Sequence, residues 1–298
     1  MIKRTLYFGT PAYLKTKEEQ LVFESVETSE IKSLPIEDIG VLILDHQQIT
    51  ITQALIAKLL ANNVALITCD NTHHPTGLLL NLDGNTLQSA KFQAQVDASI
   101  PLKKQLWQQT IGCKINNQAT LLETNRVPVK NMRNWAAVVK SGDSDNHEAV
   151  AAVYYWKNIF PLFPDFKRER FGDAPNNLLN YGYAILRAVT ARNLVASGLL
   201  PTLGIFHKNQ YNAYCLADDI MEPYRPFVDK VVLNIINLNG NFLELTPNMK
   251  KDLLAIPAMD VLINNEKSPL MVAVQKTTAS LVKCFEGKQR KILYPEFV

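Results

Sequence analysis

The sequence predicts an α+β protein, with a small β-rich amino-terminal domain followed by a larger all-α carboxy-terminal domain. Up to about residue 75, short apolar runs of strand length alternate with polar turns. From Leu87 onward, apolar residues recur at helical spacing. The 298 residues give room for two domains. We place the first at 1–76, a linker at 77–86 and the second at 87–298.

Composition narrows the class of protein only a little. Hydrophobic residues make up 47% and charged residues 20%, which is typical of a globular protein with a core. The net charge of +3 and the pI of about 8.5 permit a nucleic-acid partner without demanding one. No apolar run resembles a signal peptide or reaches the ~18 residues of a membrane span. Four scattered cysteines favour reduced thiols in a cytoplasm.

The first domain reads as strands with one helix. Either Thr50 or Thr52 can cap that helix, which we expect to continue to Asn62. The strands are predicted at Thr5–Phe8, Tyr13–Thr16, Leu21–Ser25, Lys32–Leu34, Val41–Leu44 and Val64–Thr68.

The second domain reads as a series of helices. A long one from Leu102 is predicted to be interrupted at Asn116-Asn117, where two poor helix formers adjoin. Thr246 and Pro247 mark the start of a later helix. The tail 288–298 follows a terminal helix, and we expect it to be ordered only on a partner.

The stretch SGDSDNHEAVAAVYYW carries the first candidate site residue. Asp145 or Asn146 can cap the helix, which places Glu148 in the first turn. A carboxylate there can simply favour the helix dipole.

The stretch from Asn176 to Asp229 carries the others. A helix stops near Gly198, and a loop then delivers His207. Asp219 and Glu222 are three residues apart, so they share one helical face, while Asp218 is expected to serve solvent or a cap.

One imidazole together with carboxylates suits Mg²⁺ or Mn²⁺. Cap and surface roles at helix ends are the alternative, and the spacing leaves both open.

At this point the sequence resembles a known family. GLLPTLGIFH followed by DDIMEPYRPFVD resembles the core motif of the CRISPR-associated integrase-endonuclease that captures new spacers (the Cas protein one family). NNLLNYGYAILRA resembles the helix before that motif, and IEDIGVLILDHQQITITQALIAKLLANNVALITCD resembles the family's amino-terminal β domain. The resemblance covers nearly the whole chain.

The resemblance implies a catalytic metal site made of Glu148, His207 and Glu222, holding Mg²⁺ or Mn²⁺ in the second domain. Asp219 would support these ligands without contacting the metal, or would orient Arg225 or the helix. The implied reaction is a transesterification, in which the 3′-hydroxyl of protospacer DNA attacks a phosphodiester at a CRISPR repeat. This reaction inserts a spacer for antiviral defence, and the same site can hydrolyse DNA as an endonuclease.

The resemblance also implies partners. The amino-terminal domain would form a homodimer, and two dimers would assemble with one dimer of a small ferredoxin-like second adaptation protein. The motif wording is most similar to versions from type II systems, whose RNA-guided effector nuclease is a further candidate partner. We expect a bacterial cytoplasmic protein.

Four basic residues are candidates for DNA contact. Arg225 and Lys230 follow Glu222 closely, and Arg168 and Arg170 lie in a charged loop. A solvated surface is the alternative for the loop pair.

Two other functions remain open from the sequence. A catalytically silent DNA-binding scaffold of the adaptation complex would bind DNA without metal. A metallohydrolase of small molecules would have no DNA affinity.

Overall fold

The computed structural model describes residues 3–169, 172–238 and 243–298. It divides into two compact units, the first ending at Thr86 and the second beginning at Leu87. The first unit contains the strands β1 Arg4–Phe8, β2 Ala12–Lys17, β3 Gln20–Ser25, β4 Ile31–Pro35, β5 Ile39–Leu44, β6 Ile49–Ile51, β7 Ala65–Cys69 and β8 Pro75–Leu79, and the helix α1 Gln53–Ala61.

The strands of the first unit form two four-stranded sheets. One has the order β1-β5-β7-β8, with β8 antiparallel to β7 and the other neighbours parallel. The second has the order β4-β3-β2-β6. Leu14, Leu42 and Leu55 are fully buried in one apolar cluster that joins residues of both sheets and α1. The predicted β-rich domain is therefore confirmed.

Two details of the first unit differ from the sequence prediction. The predicted boundary at residue 76 falls inside β8, because Gly77 and Leu78 pair with Thr68 and Ile67 of β7. The first three residues of the predicted linker 77–86 thus belong to a strand. The choice of helix cap is resolved in favour of Thr52, whose hydroxyl accepts a hydrogen bond from Leu55 N at 3.3 Å.

The second unit is helical, as predicted, with one added hairpin. Its helices are α2 Gln88–Val96, α3 Ile100–Thr124, α4 Lys130–Val138, α5 His147–Ile159, α6 Asn176–Ala196, α7 Cys215–Met221, α8 Arg225–Leu238, α9 Pro247–Leu254 and α10 Leu270–Phe285. The hairpin consists of β9 Asp260–Ile263 and β10 Glu266–Pro269. Within the described ranges, no helix has the length and apolar character to cross a membrane.

Helix α3 runs without a break through Asn116-Asn117, so the predicted interruption is wrong. Asn117 is buried, and its amide donates to Pro223 O at 2.8 Å and to Pro295 O at 2.9 Å. These tertiary hydrogen bonds outweigh the weak helix propensity of asparagine.

The carboxy-terminal tail packs against the chain's own helices, contrary to the expectation of a partner. Gln109 on α3 donates to Arg290 O at 3.0 Å and accepts from Ile292 N at 2.9 Å. Glu296 then exchanges two backbone hydrogen bonds with Leu262 of β9. The side-chain amide and the hairpin edge satisfy the tail's backbone, and this fixes it in place.

The tail also supports the segment that begins at Glu222. Thr277 of α10 accepts from the Tyr224 hydroxyl at 2.6 Å and donates to Leu293 O at 2.6 Å. Phe297 stacks on Phe227 with ring centroids 4.2 Å apart. Together with Asn117, these contacts join the tail to the turn that carries Glu222.

We expect Asn117→Ala to lower the free energy of unfolding by about 1–3 kcal/mol, because two buried carbonyl oxygens lose their donor. Urea unfolding followed by circular dichroism measures the change. Asn116→Ala is the matched control, since Asn116 is exposed one position earlier on the same helix. Equal effects of the two substitutions would contradict the role given to Asn117.

Candidate active site

The three predicted metal ligands come from three separate elements of the second unit. Glu148 is in the first turn of α5, and His207 lies in the segment between α6 and α7. Glu222 begins the 3₁₀ turn Glu222–Tyr224, which follows α7. The hydrogen bond with Asp219 is the main reason that the pKa of His207 is raised, and the charges of Glu222 and Glu148 raise it further from nearby. The structure thus gathers the three residues in one region.

Lys114 of α3 joins the two glutamates. Its Nζ lies 2.6 Å from Glu148 Oε1 and 2.7 Å from Glu222 Oε2. Burial disfavours the ammonium ion, but the two carboxylates outweigh that cost and raise the pKa of Lys114. Sequence reasoning missed this residue. A single lysine among the apolar positions of α3 was its only sequence signal.

Glu148 is positioned by Asp143 rather than by the predicted caps Asp145 or Asn146. The Asp143 carboxylate accepts from His147 N and from Glu148 N, both at 2.9 Å. The turn that brings Asp143 under the helix needs a left-handed residue at Gly142, whose φ is 73°. The capping oxygen therefore comes from the preceding turn, and it fixes the backbone at Glu148.

Glu222 is buried between two cations. Arg225 Nε donates to Glu222 Oε1 at 2.8 Å, opposite the contact with Lys114. Burial opposes ionisation of Glu222, but Arg225 and Lys114 lower its pKa to about 2. Glu222 is therefore a carboxylate at neutral pH.

His207 is oriented by Asp219. Nδ1 of the imidazole lies 2.5 Å from Asp219 Oδ1, and Asp219 Oδ2 accepts from Phe206 N at 2.9 Å. Gly204 makes this loop possible, because a Cβ there would lie 2.4 Å from His207 O and 2.7 Å from Asp219 Oδ2. Since Nδ1 is engaged by Asp219, Nε2 is the ring nitrogen that could ligate a metal. Asp219 orients His207, whereas Arg225 pairs with Glu222.

The hydrogen bond with Asp219 raises the pKa of His207 above its usual range, against the effect of partial burial. Asp219 itself is fully buried, and burial raises its pKa although three N–H groups favour its charged form.

Asp218 is also buried, so its predicted role at the surface or as a cap is wrong. Its carboxylate accepts from Arg187 Nε at 2.7 Å and from Asn212 Nδ2 at 2.7 Å. These contacts fasten the segment after His207 to α6. Sequence spacing placed Asp218 correctly off the face of Asp219 and Glu222, but not its partners.

The donor set suits a hard divalent cation, with two carboxylates and an oriented imidazole. The buried Glu222 Oε2 lies 2.7 Å from the Lys114 ammonium, so this oxygen is already paired with a cation. Within residues 3–169, 172–238 and 243–298, no three acidic, histidine or cysteine side chains are yet close enough to hold a metal. The ligand types fit, and the Lys114 ammonium lies between the two carboxylates.

The candidate DNA contacts have different environments. The Arg225 guanidinium lies 4.6 Å from the ring centroid of Tyr183, next to its bond with Glu222. Lys230 is exposed, and its Nζ lies 5.5 Å from the ring centroid of Phe297.

Arg168 is half-buried and donates to Glu169 O, Asn176 Oδ1 and Asn180 Oδ1. It therefore holds its loop against α6. Arg170 lies outside the described residues.

The comparisons with known proteins agree on one family. A family model for CRISPR associated protein Cas1 matches residues 6–242. A CRISPR-associated endonuclease Cas1 from Neisseria meningitidis serogroup C is 34% identical over 98% of this chain and 95% of the relative. One from Saccharolobus solfataricus is 26% identical over 76% of this chain and 72% of the relative. This chain belongs to the Cas1 family, which confirms the resemblance described above.

Solved structures show the same fold. A Cas1 protein from Thermotoga maritima has a TM-score of 0.78 at 16% identity, covering 96% of this chain and 98% of its own. A casposase bound to integration product has a TM-score of 0.77 at 20% identity, covering 98% and 92%. A chain of a Cas6-RT-Cas1–Cas2 complex has a TM-score of 0.76 at 20% identity, covering 98% of this chain and 36% of that chain.

We expect Asp219→Asn to lower the pKa of His207, because the substitution removes the carboxylate that stabilises the imidazolium. NMR titration of the His207 ring in metal-free protein measures it. Because folding raises the pKa of His207, the protonated imidazole stabilises the wild-type fold. This contribution to the free energy of unfolding is complete below about pH 6.5, the pKa of an unfolded histidine, and it is lost as the pH rises through the pKa of the folded state.

Asp145→Asn, at an exposed position before α5, is the control and should leave the His207 titration unchanged. An unaltered His207 pKa in Asp219→Asn would contradict the proposed pairing.

Proposed function

We propose that this protein is a metal-dependent DNA endonuclease and integrase that inserts new spacers into a CRISPR array. One observation carries the proposal: in a member of the Cas1 family, Glu148 and Glu222, from segments distant in sequence, both contact the Lys114 ammonium, and His207 lies near enough for their charges to act on its pKa. The relative named as an endonuclease and the casposase bound to its integration product support the same activity.

The reaction that we propose is a transesterification. The 3′-hydroxyl of the incoming strand loses its proton as its oxygen forms a bond to a phosphorus atom at the edge of the repeat. The bond from that phosphorus to the 3′-oxygen of the repeat strand breaks, and the leaving oxygen takes up a proton. One phosphodiester replaces another, so no nucleotide cofactor is needed. When water attacks instead, the result is endonucleolytic cleavage.

Each site residue has a proposed part in this reaction. The Glu148 and Glu222 carboxylates and His207 Nε2 would hold Mg²⁺ or Mn²⁺, which would polarise the scissile phosphate and stabilise the leaving oxygen. Asp219 keeps the imidazole in the tautomer and orientation for binding. Arg225 holds Glu222 in place through Nε, and its remaining N–H groups suit a phosphate.

The other basic candidates contribute to the DNA path in this proposal. Lys230 is exposed, and its ammonium can contact the DNA phosphate backbone as a point charge. Arg168 would act mainly by fixing its loop, whereas Arg170 remains a sequence-based candidate.

The proposed assembly follows the family. We propose that the amino-terminal unit mediates a homodimer, and that two dimers bind one dimer of a small ferredoxin-like second adaptation protein. A solved Cas6-RT-Cas1–Cas2 complex contains a chain of this fold, which supports a partner of the Cas2 kind. The proposed type II subtype and the proposed contact with its effector nuclease rest on the sequence of the motif alone.

A catalytically silent DNA-binding scaffold is the second candidate function. The ion pairs of Lys114 favour it, because a site whose two carboxylates are neutralised by an ammonium resembles a metal site replaced by a salt bridge. The two functions differ in whether DNA joining depends on metal.

We expect Glu222→Gln and His207→Ala each to reduce strand transfer on the order of 10²-fold or more, because each removes a metal ligand. The assay joins a short fluorescent duplex to a supercoiled plasmid bearing a CRISPR repeat, with Mn²⁺ or EDTA and with or without the small partner. Glu222→Gln keeps the side chain's size, which limits the damage from leaving two cations unpaired.

Glu123→Gln is the control, since Glu123 forms an exposed surface ion pair with Arg133. It should join DNA like the wild type. Metal-independent DNA binding without joining under any condition would favour the scaffold, and full activity in Glu222→Gln would remove Glu222 from the site.

A further inference from the structure

Lys114 occupies the centre of the candidate site. It lies on α3, and only 11% of its side chain is exposed. Its Nζ lies within 2.7 Å of one oxygen from each glutamate, although these residues belong to α5 and to the 3₁₀ turn after α7. An ammonium ion therefore stands at the place where the carboxylates converge.

Without this ammonium, the two carboxylates would face each other with little solvent. The exposed fractions of the Glu148 and Glu222 side chains are 23% and 8%. Arg225 neutralises only the other oxygen of Glu222. Carboxylates that are buried together repel each other unless a cation lies between them. Lys114 supplies that cation from within the chain.

A divalent metal ion and the Lys114 ammonium cannot use this place at the same time. Mg²⁺ requires oxygen ligands at about 2.0–2.1 Å, closer than the ammonium contacts. Two cations bound to the same pair of oxygens would also repel each other strongly in a poorly solvated site. The described chain holds no ready set of three ligands while the ammonium is in place.

We propose that Lys114 competes with the divalent metal, holding Glu148 and Glu222 in the metal-free protein and leaving when the metal binds. The inference rests on the metal site of the proposed function and adds to it a competitor within the chain. A lysine suits this role because its ammonium is a point charge on a flexible stem, which can move away without disturbing α3. The ion pairs of Lys114 keep the two glutamates in place in the metal-free protein. Because the metal must displace the ammonium, its affinity is lower than it would be for the same ligands without Lys114.

The test measures Mn²⁺ binding to DNA-free protein by electron paramagnetic resonance of free Mn²⁺. We expect Lys114→Met and Lys114→Gln to bind Mn²⁺ about tenfold more tightly than the wild type, a change of about 1.4 kcal/mol. Lys114→Arg, which keeps the positive charge, should not gain affinity. Lys104→Met is the matched control, because Lys104 is an exposed lysine on the same helix.

Thermal unfolding provides a second readout. In EDTA, Lys114→Met should melt at a lower temperature than the wild type, and Mn²⁺ should raise its melting temperature by more than it raises that of the wild type. Lys114→Gln serves the same purpose if the methionine variant does not fold without metal.

Equal or weaker Mn²⁺ affinity in folded Lys114→Met and Lys114→Gln would overturn the competition while leaving the metal site intact. An unchanged melting temperature in EDTA would also overturn it. If the wild type and all the variants bind no Mn²⁺, the metal site of the proposed function fails and the competition fails with it.

Discussion

The structure of the candidate site depends on one electrostatic constraint: two glutamates from distant segments meet in a poorly solvated place and require a cation between them. Glu148 arrives from α5, Glu222 from the turn after α7, and Lys114 reaches both from α3. The same need for a nearby positive charge explains why Arg225 pairs with Glu222 Oε1, the oxygen that Lys114 does not contact. Helices α3 and α5 and the turn after α7 are thus tied together at the carboxylates, and a metal ion would satisfy the same requirement.

Neighbouring residues hold each proposed ligand in position through hydrogen bonds. Asp143 caps the helix that carries Glu148, and Asp219 holds the imidazole of His207. Asn117 ties the turn of Glu222 to the carboxy-terminal tail. Each of these supports acts through a buried or half-buried hydrogen bond, which restrains even His207, although its own segment is exposed. The tail thus helps to support the candidate site.

Local sequence pattern predicted the two-part fold and, to within two residues at each end, six strands of the first unit, because strand and helix periodicities reflect burial within one element. The triad of Glu148, His207 and Glu222 came from motif resemblance. Lys114 was missed because no local pattern records a contact between α3 and two distant segments. The break predicted in α3 at Asn117 was wrong for a related reason. The low helix propensity of asparagine predicted the break, whereas the tertiary hydrogen bonds of Asn117 keep the helix continuous. Asp143 was overlooked because a left-handed turn brings it under α5.

We propose that Glu148, His207 and Glu222 together hold a divalent metal. Anomalous diffraction from crystals of the wild-type protein grown with Mn²⁺ tests it most directly. We expect one strong anomalous peak within bonding distance of both carboxylates and of His207 Nε2, with Asp219 still hydrogen-bonded to Nδ1 of the imidazole. A peak at another place, or none beside the three residues at a saturating Mn²⁺ concentration, would contradict it.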